Sequence, residues 1–328
     1  EQQVGADMLV MEALNAAARV VFHSTDWGWL LAELRSNLER ELDFSAEAEN
    51  TARLKASLAH RRDVEVPGVI QQLSSSRILT TEWMEGCRVS DKAGISARDM
   101  NPEEVGTTLL SVVSEMVFCT GFVHLDPHPG NVLVRPRPYL DVTHAFWRRL
   151  GDCLFRRNGK EPQLVLLDCG LCCELPRPIR TAYAKLWCSL AMGDHKGLRA
   201  AAAELGVAGP HAEAFPLMLR RSELSREQRQ AYRQASGIHS AEDASNALAQ
   251  LPGVLLKTIR TTTLVRGMAR DLGVSSSRRW QMLTQYAAIC PTRELWEGKM
   301  CASWWTWVSA YARAFSVIVW LATISNLC

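Results

Sequence analysis

Apolar residues recur at helical spacing through much of this 328-residue chain. They mark one face of a helix over residues 7–22 and again between Trp27 and Leu42, so the pattern predicts two helices in this part of the chain. Further helices are predicted over residues 178–192, 196–205, 225–236 and 240–251. Most of the fold is therefore expected to be helical.

Two of the predicted helices have clear N-terminal signals. Asn101 is followed by Pro102 and two glutamates, which supply a capping side chain, a proline suited to the first turn and negative charge at the positive end of the helix dipole. This helix is predicted to reach about Thr120 and to pack its apolar face beneath the loop that follows. Ser225 with Gln228 resembles a capping box at a second start.

Two short polar motifs follow apolar segments. His124, Asp126 and Asn131 fit the pattern H-x-D-x-x-x-x-N, and an apolar strand over residues 164–167 leads into Asp168-Cys169-Gly170, which fits D-x-G. These are the spacings of a protein-kinase catalytic loop and of the metal-binding loop that follows it, in the same order. A proline-rich turn followed by an ordinary buried strand is the alternative interpretation.

Phosphoryl transfer accounts for these residue types. The reaction depends on positioning and on neutralising phosphate charge, so one carboxylate meets the acceptor hydroxyl while other oxygens hold Mg²⁺. Asp126 is the candidate base, and Asn131 and Asp168 are the candidate magnesium ligands because this ion prefers oxygen. The sequence thus predicts Asp126, Asn131 and Asp168 as the catalytic set, with ATP and Mg²⁺ as cofactors.

A family resemblance rests on two stretches of sequence. Residues 126–131, Asp-Pro-His-Pro-Gly-Asn, and residues 41–50, Glu-Leu-Asp-Phe-Ser-Ala-Glu-Ala-Glu-Asn, resemble the UbiB-like, aarF-domain atypical kinases, over about residues 5–290. Within them the chain is most similar to the aarF-domain-containing kinase five branch. The resemblance implies an α+β, protein-kinase-like two-lobed fold, mitochondrial residence and a link to coenzyme Q or lipid metabolism.

The resemblance also implies a division of the chain. Residues 1–85 would form a partial N-lobe, with β-structure over residues 64–67, 69–73 and 77–83. Residues 86–300 would form a mostly helical C-lobe that carries both motifs. The acceptor would be a lipid-linked or protein substrate.

Further site residues follow from the resemblance alone. Glu41 and Asp43 would form the E-x-D element of the family. The second predicted helix should carry them with Glu47, so that Asp43 and Glu47 share one side while Glu41 points elsewhere or lies before a helix break. Glu47 would be the helix glutamate that pairs with the ATP-binding lysine. The adenine-binding hinge would lie at Glu82, Trp83 and Met84.

Several parts of a kinase site are not found in the sequence. The first lysine is Lys55, which follows Glu47, whereas the phosphate-contacting lysine of a kinase precedes that glutamate. A glycine-rich or alanine-rich loop and the family's K-x-G-Q element are also missing. We expect the given sequence to start after the third strand of the N-lobe. We also expect this chain to turn over ATP very weakly, since each lost charge donor costs about 3 to 4 kcal/mol in the transition state. A nucleotide-binding pseudokinase that acts by docking is the second interpretation.

A third interpretation concerns the histidines. His124, Asp126 and His128 form His-x-Asp-x-His, which offers three metal ligands and would suit zinc or iron in a metal-dependent hydrolase. The downstream D-x-G motif would then need a separate explanation.

Cysteine usage and charge narrow the function classes. The ten cysteines are scattered along the chain, as reduced buried thiols are, so we expect a reducing compartment. Cys169, Cys172 and Cys173 form C-x-x-C-C, which by itself would suit a redox pair or half a zinc site. No second paired cluster lies nearby. The net charge of +2 gives no reason to expect a nucleic-acid partner.

Two segments do not fit a compact kinase. Residues 135–163 are longer than a kinase hairpin needs and predict an insertion, either a disordered loop or a retained intron, with membrane or phosphorylated-partner contact as the alternative. Residues 301–328 form an apolar, tryptophan-rich tail. Its uninterrupted run at 314–327 is shorter than the roughly 20 residues of a membrane span, so a helix that packs or lies on a membrane surface is favoured.

Overall fold

A computed structural model describes residues 10–13, 15, 43–138, 159–207, 209–220, 224–237 and 250–296. The helices are α1 Phe44–Leu58, α2 Lys92–Ala97, α3 Pro102–Glu115, α4 Arg177–Met192, α5 His195–Glu204, α6 Phe215–Arg220, α7 Arg226–Ser236, α8 Gly253–Asp271 and α9 Ser276–Trp296. The strands are β1 Val64–Glu65, β2 Cys87–Arg88, β3 Phe122–His124, β4 Val132–Pro136, β5 Pro162–Leu166 and β6 Cys172–Glu174.

The strands form two small sheets that hold the predicted catalytic segments. One sheet has the order β1-β5-β4-β2, in which β4 and β5 pair antiparallel and β1 joins β5 in parallel. The other pairs β3 with β6, so that His124 lies opposite Cys172. Mixed helices and strands confirm the expected α+β class. In the four-stranded sheet, β1 lies on the N-terminal side of residue 85 and pairs with the β4–β5 hairpin. Strand β4 follows the first motif, and β5 precedes the second.

The β-structure expected between residues 64 and 83 is mostly wrong. Only Val64–Glu65 forms a strand, whereas Gln71–Leu73 is a 3₁₀ helix and residues 77–83 make isolated bridges such as Val69 with Thr81. Hydroxyl side chains take the place of ladder partners here: Ser74 Oγ donates to the Ile70 carbonyl at 2.9 Å and accepts from Thr80 N–H at 3.0 Å. Local bonds of this kind compete with strand pairing.

Helix α1 begins later than the sequence suggested. Asp43 lies outside the helix as its N-cap, where its carboxylate accepts a hydrogen bond from Ser45 N–H at 3.0 Å. A short acidic side chain at this position satisfies a backbone donor that has no partner within the helix. The expectation that Asp43 and Glu47 share one helix is therefore wrong, since only Glu47 is helical. Glu41 lies outside the described residues.

Helix α3 confirms its predicted start. The Asn101 side chain accepts from Glu103 N–H at 2.9 Å, and Pro102 occupies the first turn. The last five residues before the catalytic loop, Met116–Thr120, form a π-helical turn instead of continuing the α-helix. Gly121 then ends it with a φ of 76°, a left-handed conformation that costs glycine little. The chain continues from this turn directly into β3.

The helices enclose the main core. Helix α9 packs against both α3 and α4, and α8 packs against α3. Four aromatic side chains meet between them, with Trp187 in contact with Phe118, Tyr183 and Trp280. Phe118 and Trp187 are fully buried, which makes this cluster a rigid support behind the catalytic loop.

Most of the later helix predictions are confirmed. Helices α4, α5 and α7 match residues 178–192, 196–205 and 225–236, and Ser225 with Gln228 forms the predicted capping box. Helices α8 and α9 were not predicted individually. The predictions for residues 16–42, 139–158, 240–249 and 301–328 fall outside the described residues. Within the described ranges, no helix has the length and apolar character needed to cross a membrane.

A buried charge network ties the end of α1 to the helical part. Arg61 makes a paired contact with Asp63, at 2.9 Å and 2.7 Å, and also donates to Glu115 of α3 at 2.7 Å. The hydroxyl groups of Ser111 in α3 and Tyr286 in α9 complete the cluster, with a distance of 2.6 Å between their oxygens. Because Arg61 and Glu115 are only 10% and 7% exposed, their contact offsets part of the desolvation of both groups.

Candidate active site

The catalytic-loop motif starts from a buried histidine. His124 is 1% exposed, and its Nδ1 accepts a hydrogen bond from Asp126 N–H at 3.2 Å. Burial lowers the pKa of His124 to about 4, against a smaller opposing effect of Asp168. The imidazole is therefore neutral near pH 7, with its proton on Nε2. It positions the backbone of Asp126 and does not act as a charged group.

The loop folds back so that Asn131 returns toward Asp126. Gly130 N–H donates to His128 Nδ1 at 3.0 Å, and Asn131 N–H donates to the His128 carbonyl at 2.9 Å. The Asn131 side-chain amide also donates to the Asp126 carbonyl at 3.4 Å. His128 therefore shapes this turn from its centre. The Asp126 side chain is half-buried at the start of the loop.

The D-x-G segment lies directly beside this loop. Asp168 is exposed, and its Oδ1 accepts from Gly170 N–H at 2.9 Å, which closes a tight turn. Its Oδ2 accepts from Asn131 Nδ2 at 3.3 Å. The backbone joins the same two segments, because Leu167 N–H donates to the Asn131 carbonyl at 2.9 Å. The two predicted magnesium ligands thus lie side by side.

Glu47 reaches this point from α1. A Cβ placed on Gly170 would lie 3.3 Å from Asp168 Oδ1 and 3.6 Å from Glu47 Oε2, so both carboxyl groups border the same glycine. Burial raises the pKa of Glu47, and the negative charge of Asp168 raises it further. A divalent cation placed between these carboxyl groups would relieve their repulsion.

The expected hinge residues make other contacts. Glu82 accepts from Gly68 N–H at 2.6 Å and from Lys55 at 3.3 Å, and both contacts lower its pKa. Trp83 is 89% exposed, and Met84 contacts Arg135 through its sulfur at 3.8 Å. These contacts of Glu82 and Met84 join the expected hinge to α1 and β4. Lys55 also lies 3.6 Å from Glu65, so it is engaged at the sheet edge.

Three residues at the site received no role from the sequence. Asn50 Nδ2 donates to the Cys169 carbonyl at 3.1 Å, and Thr51 also contacts Cys169 through its side chain, so α1 holds the D-x-G loop from one side. The buried Thr261 of α8 donates from Oγ1 to the Leu125 carbonyl at 2.7 Å, next to Asp126. Asn50 lies inside the stretch that carried the resemblance, whereas nothing in the local sequence marks Thr261.

The arrangement of the histidines does not suit the hydrolase interpretation. His124 and His128 both use Nδ1 to accept backbone N–H groups, so neither offers that atom to a metal. Among the residues that the structure describes, no group of three His, Cys, Asp or Glu side chains is placed to hold a metal ion. Asn131 with Asp168 is instead an all-oxygen pair suited to a hard cation.

The three cysteines of the C-x-x-C-C motif have different burial and different neighbours. The Cys172 thiol hydrogen-bonds the sulfur of Cys169, and this contact lowers the pKa of Cys169 and raises that of Cys172. Cys169 is buried and Cys172 is partly exposed on β6. Cys173 points to the other face of β6 and lies opposite Val123.

These features define a protein of the protein-kinase-like class. A family model described as an ABC1 atypical kinase-like domain matches residues 1–202, and the chain belongs to this family. It is 32% identical over 289 residues to AarF domain-containing protein kinase 1 of Xenopus tropicalis and 33% identical over 287 residues to that of Mus musculus. Each match covers 84% of the chain and 51% of the relative. The chain thus spans about half the length of these relatives.

Two further similarities extend this result. The chain is 27% identical over 297 residues to a protein of Dictyostelium discoideum named probable serine/threonine-protein kinase abkD, with coverage of 88% of the chain and 40% of the relative. A solved structure of Rv3197 of Mycobacterium tuberculosis, in complex with erythromycin, matches with a TM-score of 0.55 and 18% identity over 81% of this chain and 63% of that one. This likeness supports the kinase-like fold alone. The family is confirmed, while the kinase five branch stays a prediction.

Proposed function

We propose that this protein is an atypical kinase or ATPase that uses Mg²⁺-bound ATP for phosphoryl transfer or for ATP hydrolysis. The observation that carries the proposal is the contact between Asn131 and Asp168, at 3.3 Å, which brings the catalytic-loop and D-x-G motifs to one point. Transfer of a phosphoryl group needs this kind of convergence more than it needs covalent chemistry.

Each residue then has a separate task. Asp168 and Asn131 would hold Mg²⁺ through side-chain oxygens, and the ion would neutralise charge on the phosphates of ATP. Asp126 would accept the proton of the acceptor hydroxyl or of water, held in place by the His124 and Thr261 contacts that flank it. Glu47 borders the same glycine as Asp168 and would become more acidic beside the ion.

The nucleotide base and the acceptor are less closely defined. The hinge at Glu82, Trp83 and Met84 is the proposed adenine site. A lipid-linked or protein acceptor, a role in mitochondrial quinone or lipid homeostasis, and membrane-surface contact through residues 301–328 extend the proposal by family resemblance. The kinase names of the relatives support the reaction class only.

The first test separates an enzyme from a pseudokinase. ATP turnover with Mg²⁺ is measured by phosphate release on this chain and on a version extended upstream through the expected lysine strand. Asp126→Asn should keep Mg²⁺-dependent ATP binding but lower turnover by at least about 100-fold, since general-base catalysis is worth about 10² to 10⁴. Asp168→Asn should lose the Mg²⁺ dependence of binding itself.

The control is Asp271→Asn, an exposed carboxylate at the end of α8 that pairs with Arg270. This variant should behave as the parent protein in both assays. Binding of ATP without turnover in the extended protein would replace the enzyme proposal by the pseudokinase. Uptake of zinc through His124 and His128, with no response to Mg²⁺ and ATP, would favour the hydrolase.

A further inference from the structure

Arg53 joins α1 to the two strands that border the candidate site. Its Nη2 donates to Glu174 Oε2 at 2.5 Å, and its guanidinium carbon lies 4.4 Å from the centre of the Phe122 ring. Phe122 and Glu174 lie directly opposite each other in the β3–β6 pair. One guanidinium group therefore contacts both members of a cross-strand pair, through an ion pair and through a cation–π contact.

The same two strands flank the loops of the site. Strand β3 ends two residues before Asp126, and β6 begins two residues after Gly170. Paired strands open less readily than the loops between them. Arg53 therefore attaches α1 to the firm structure that carries the catalytic loop and the metal loop.

Arg53 continues a line of contacts that starts at Glu47. Glu47, Asn50 and Arg53 are spaced by three residues, so they follow one side of α1. Glu47 borders Gly170 in the metal loop. The Asn50 amide donates to the backbone of this loop, and Arg53 reaches β6. At about 1.5 Å per residue, Arg53 lies roughly 9 Å further along the helix axis than Glu47.

Two carboxyl groups at the other end of this line give the attachment a task. Glu47 and Asp168 border the same glycine, and they repel each other when both are ionised. This repulsion favours a movement of α1 away from the metal loop. The ion pair of Arg53 with Glu174 is 55% and 66% exposed, so it adds little to the stability of the whole fold. Its effect is instead on the position of one helix.

We propose that Arg53 is a positioning residue that holds α1 against β3 and β6 and thereby keeps Glu47 next to Asp168 before Mg²⁺ binds. Loss of Arg53 leaves the fold intact but lets α1 move away, so the ion has to bring the helix back and binds more weakly. Saturating Mg²⁺ restores the same arrangement. The attachment of α1 is independent of the proposed function, whereas its effect on Mg²⁺ and ATP rests on it.

Hydrogen exchange of the α1 peptide tests the attachment without any ligand. Arg53→Met removes the charge and keeps the apolar stem of the side chain. We expect the amides of residues 44–58 to exchange about tenfold faster, through the loss of one ion pair and one cation–π contact, while those of α8 stay as in the parent. Arg53→Lys keeps the charge and should recover part of the protection. Lys185→Met is the control, because it breaks an exposed pair with Glu204 on other helices.

A double-mutant cycle identifies the partner on β6. Glu174→Gln should speed exchange of α1 less than Arg53→Met does, because the contact with Phe122 remains. In the Arg53→Met background, Glu174→Gln should add nothing. Equal exchange of α1 in Arg53→Met and Lys185→Met would overturn the attachment, and so would fully additive effects of Arg53→Met and Glu174→Gln. Should Arg53→Met not fold, Arg53→Lys and Glu174→Gln carry the comparison.

Mg²⁺ titrations of ATP binding and turnover, on the extended protein, test the effect on the site. In Arg53→Met, half-saturation should need about tenfold more Mg²⁺, within the usual range of coupling between linked sites. Turnover at saturating Mg²⁺ and ATP should match the parent. A loss of turnover that Mg²⁺ does not reverse, or an unchanged half-saturation, would overturn the positioning role. If the parent binds no Mg²⁺ and ATP while exchange of α1 still responds to Arg53→Met, the proposed function fails and the attachment stands.

Discussion

The side-chain amide of Asn131 donates to the Asp168 carboxylate at 3.3 Å, although the two residues are 37 positions apart. The contact joins the end of the catalytic loop to the start of the D-x-G loop. Both segments are also joined through the backbone, by Leu167 N–H and the Asn131 carbonyl. These two contacts hold the two motifs together at one point of the structure.

Asn131→Ala should remove one magnesium ligand and the brace on Asp168 together. We expect ATP turnover to fall by about 10² to 10³, in line with the loss of one preorganised polar group. Steady-state phosphate release measures this effect across a range of Mg²⁺ concentrations. Asn131→Asp keeps an oxygen ligand, so more Mg²⁺ should restore part of its activity. Equal loss in both variants at all Mg²⁺ concentrations would argue against a ligand role.

Glu47→Gln should stabilise the ligand-free protein at neutral pH. The folded-state pKa of Glu47 is raised, so its contribution to stability is present below its ordinary value of 4.5 and is lost as pH rises through the folded pKa. The stability difference between the variant and the parent should therefore grow with pH above about 4.5, to roughly 0.5 kcal/mol after solvent screening.

Urea unfolding from pH 4 to pH 8, with a chelator present, measures the Glu47 effect. Glu49→Gln is the matched control, because Glu49 is exposed on the same helix. A Glu47→Gln difference that is constant with pH would show that the raised pKa of Glu47, caused by burial and by the charge of Asp168, is not its source.

Arg61→Met should destabilise the fold by about 3 kcal/mol, because it leaves Glu115 buried after losing its main cation. Adding Glu115→Gln should restore part of this loss, since the buried charge is then removed as well. Denaturant unfolding of both variants measures the two steps. Lys185→Met breaks an exposed pair with Glu204, 47% exposed on each side, and should cost less than about 1 kcal/mol. Equal costs for Arg61 and Lys185 would contradict the buried network.

Thr261→Val should lower turnover more than stability. The substitution keeps the shape of the side chain but removes the hydroxyl that holds the Leu125 carbonyl at 2.7 Å, one residue before Asp126. We expect about a tenfold loss in turnover and a stability loss of about 1 kcal/mol. Thr263→Val is the control, because Thr263 is an exposed residue of the same helix and its hydroxyl donates to the Ile259 carbonyl one turn earlier. If the two variants have the same turnover, Thr261 does not position the loop.

The features that could be predicted from the sequence are those set by residues close together along the chain. Asn101 and Pro102 mark the start of α3 because a capping side chain and its helix lie within a few positions of each other. The two site motifs were found for the same reason. The β-structure near Ser74 was predicted wrongly because the pattern of apolar residues does not show that hydroxyl groups take over the backbone partners.

Contacts across long sequence separations were not predictable. Thr261 and Leu125 are 136 positions apart, and Asn50 and Cys169 are 119 apart, so no local period or spacing connects them. The π-helical turn at Met116–Thr120 replaces the α-helical end that the sequence pattern predicted for α3. Such features arise from tertiary structure, which sequence patterns describe only indirectly.

The most direct test of the proposed function is calorimetry of ATP binding with and without Mg²⁺, on the extended protein and on its Asp168→Asn variant. Binding by the parent should require Mg²⁺, and Asp168→Asn should remove that requirement together with most of the affinity. Asp271→Asn should bind as the parent does. ATP binding that ignores Mg²⁺ in the parent, or that survives unchanged in Asp168→Asn, would contradict a magnesium-dependent phosphoryl-transfer site at Asn131 and Asp168.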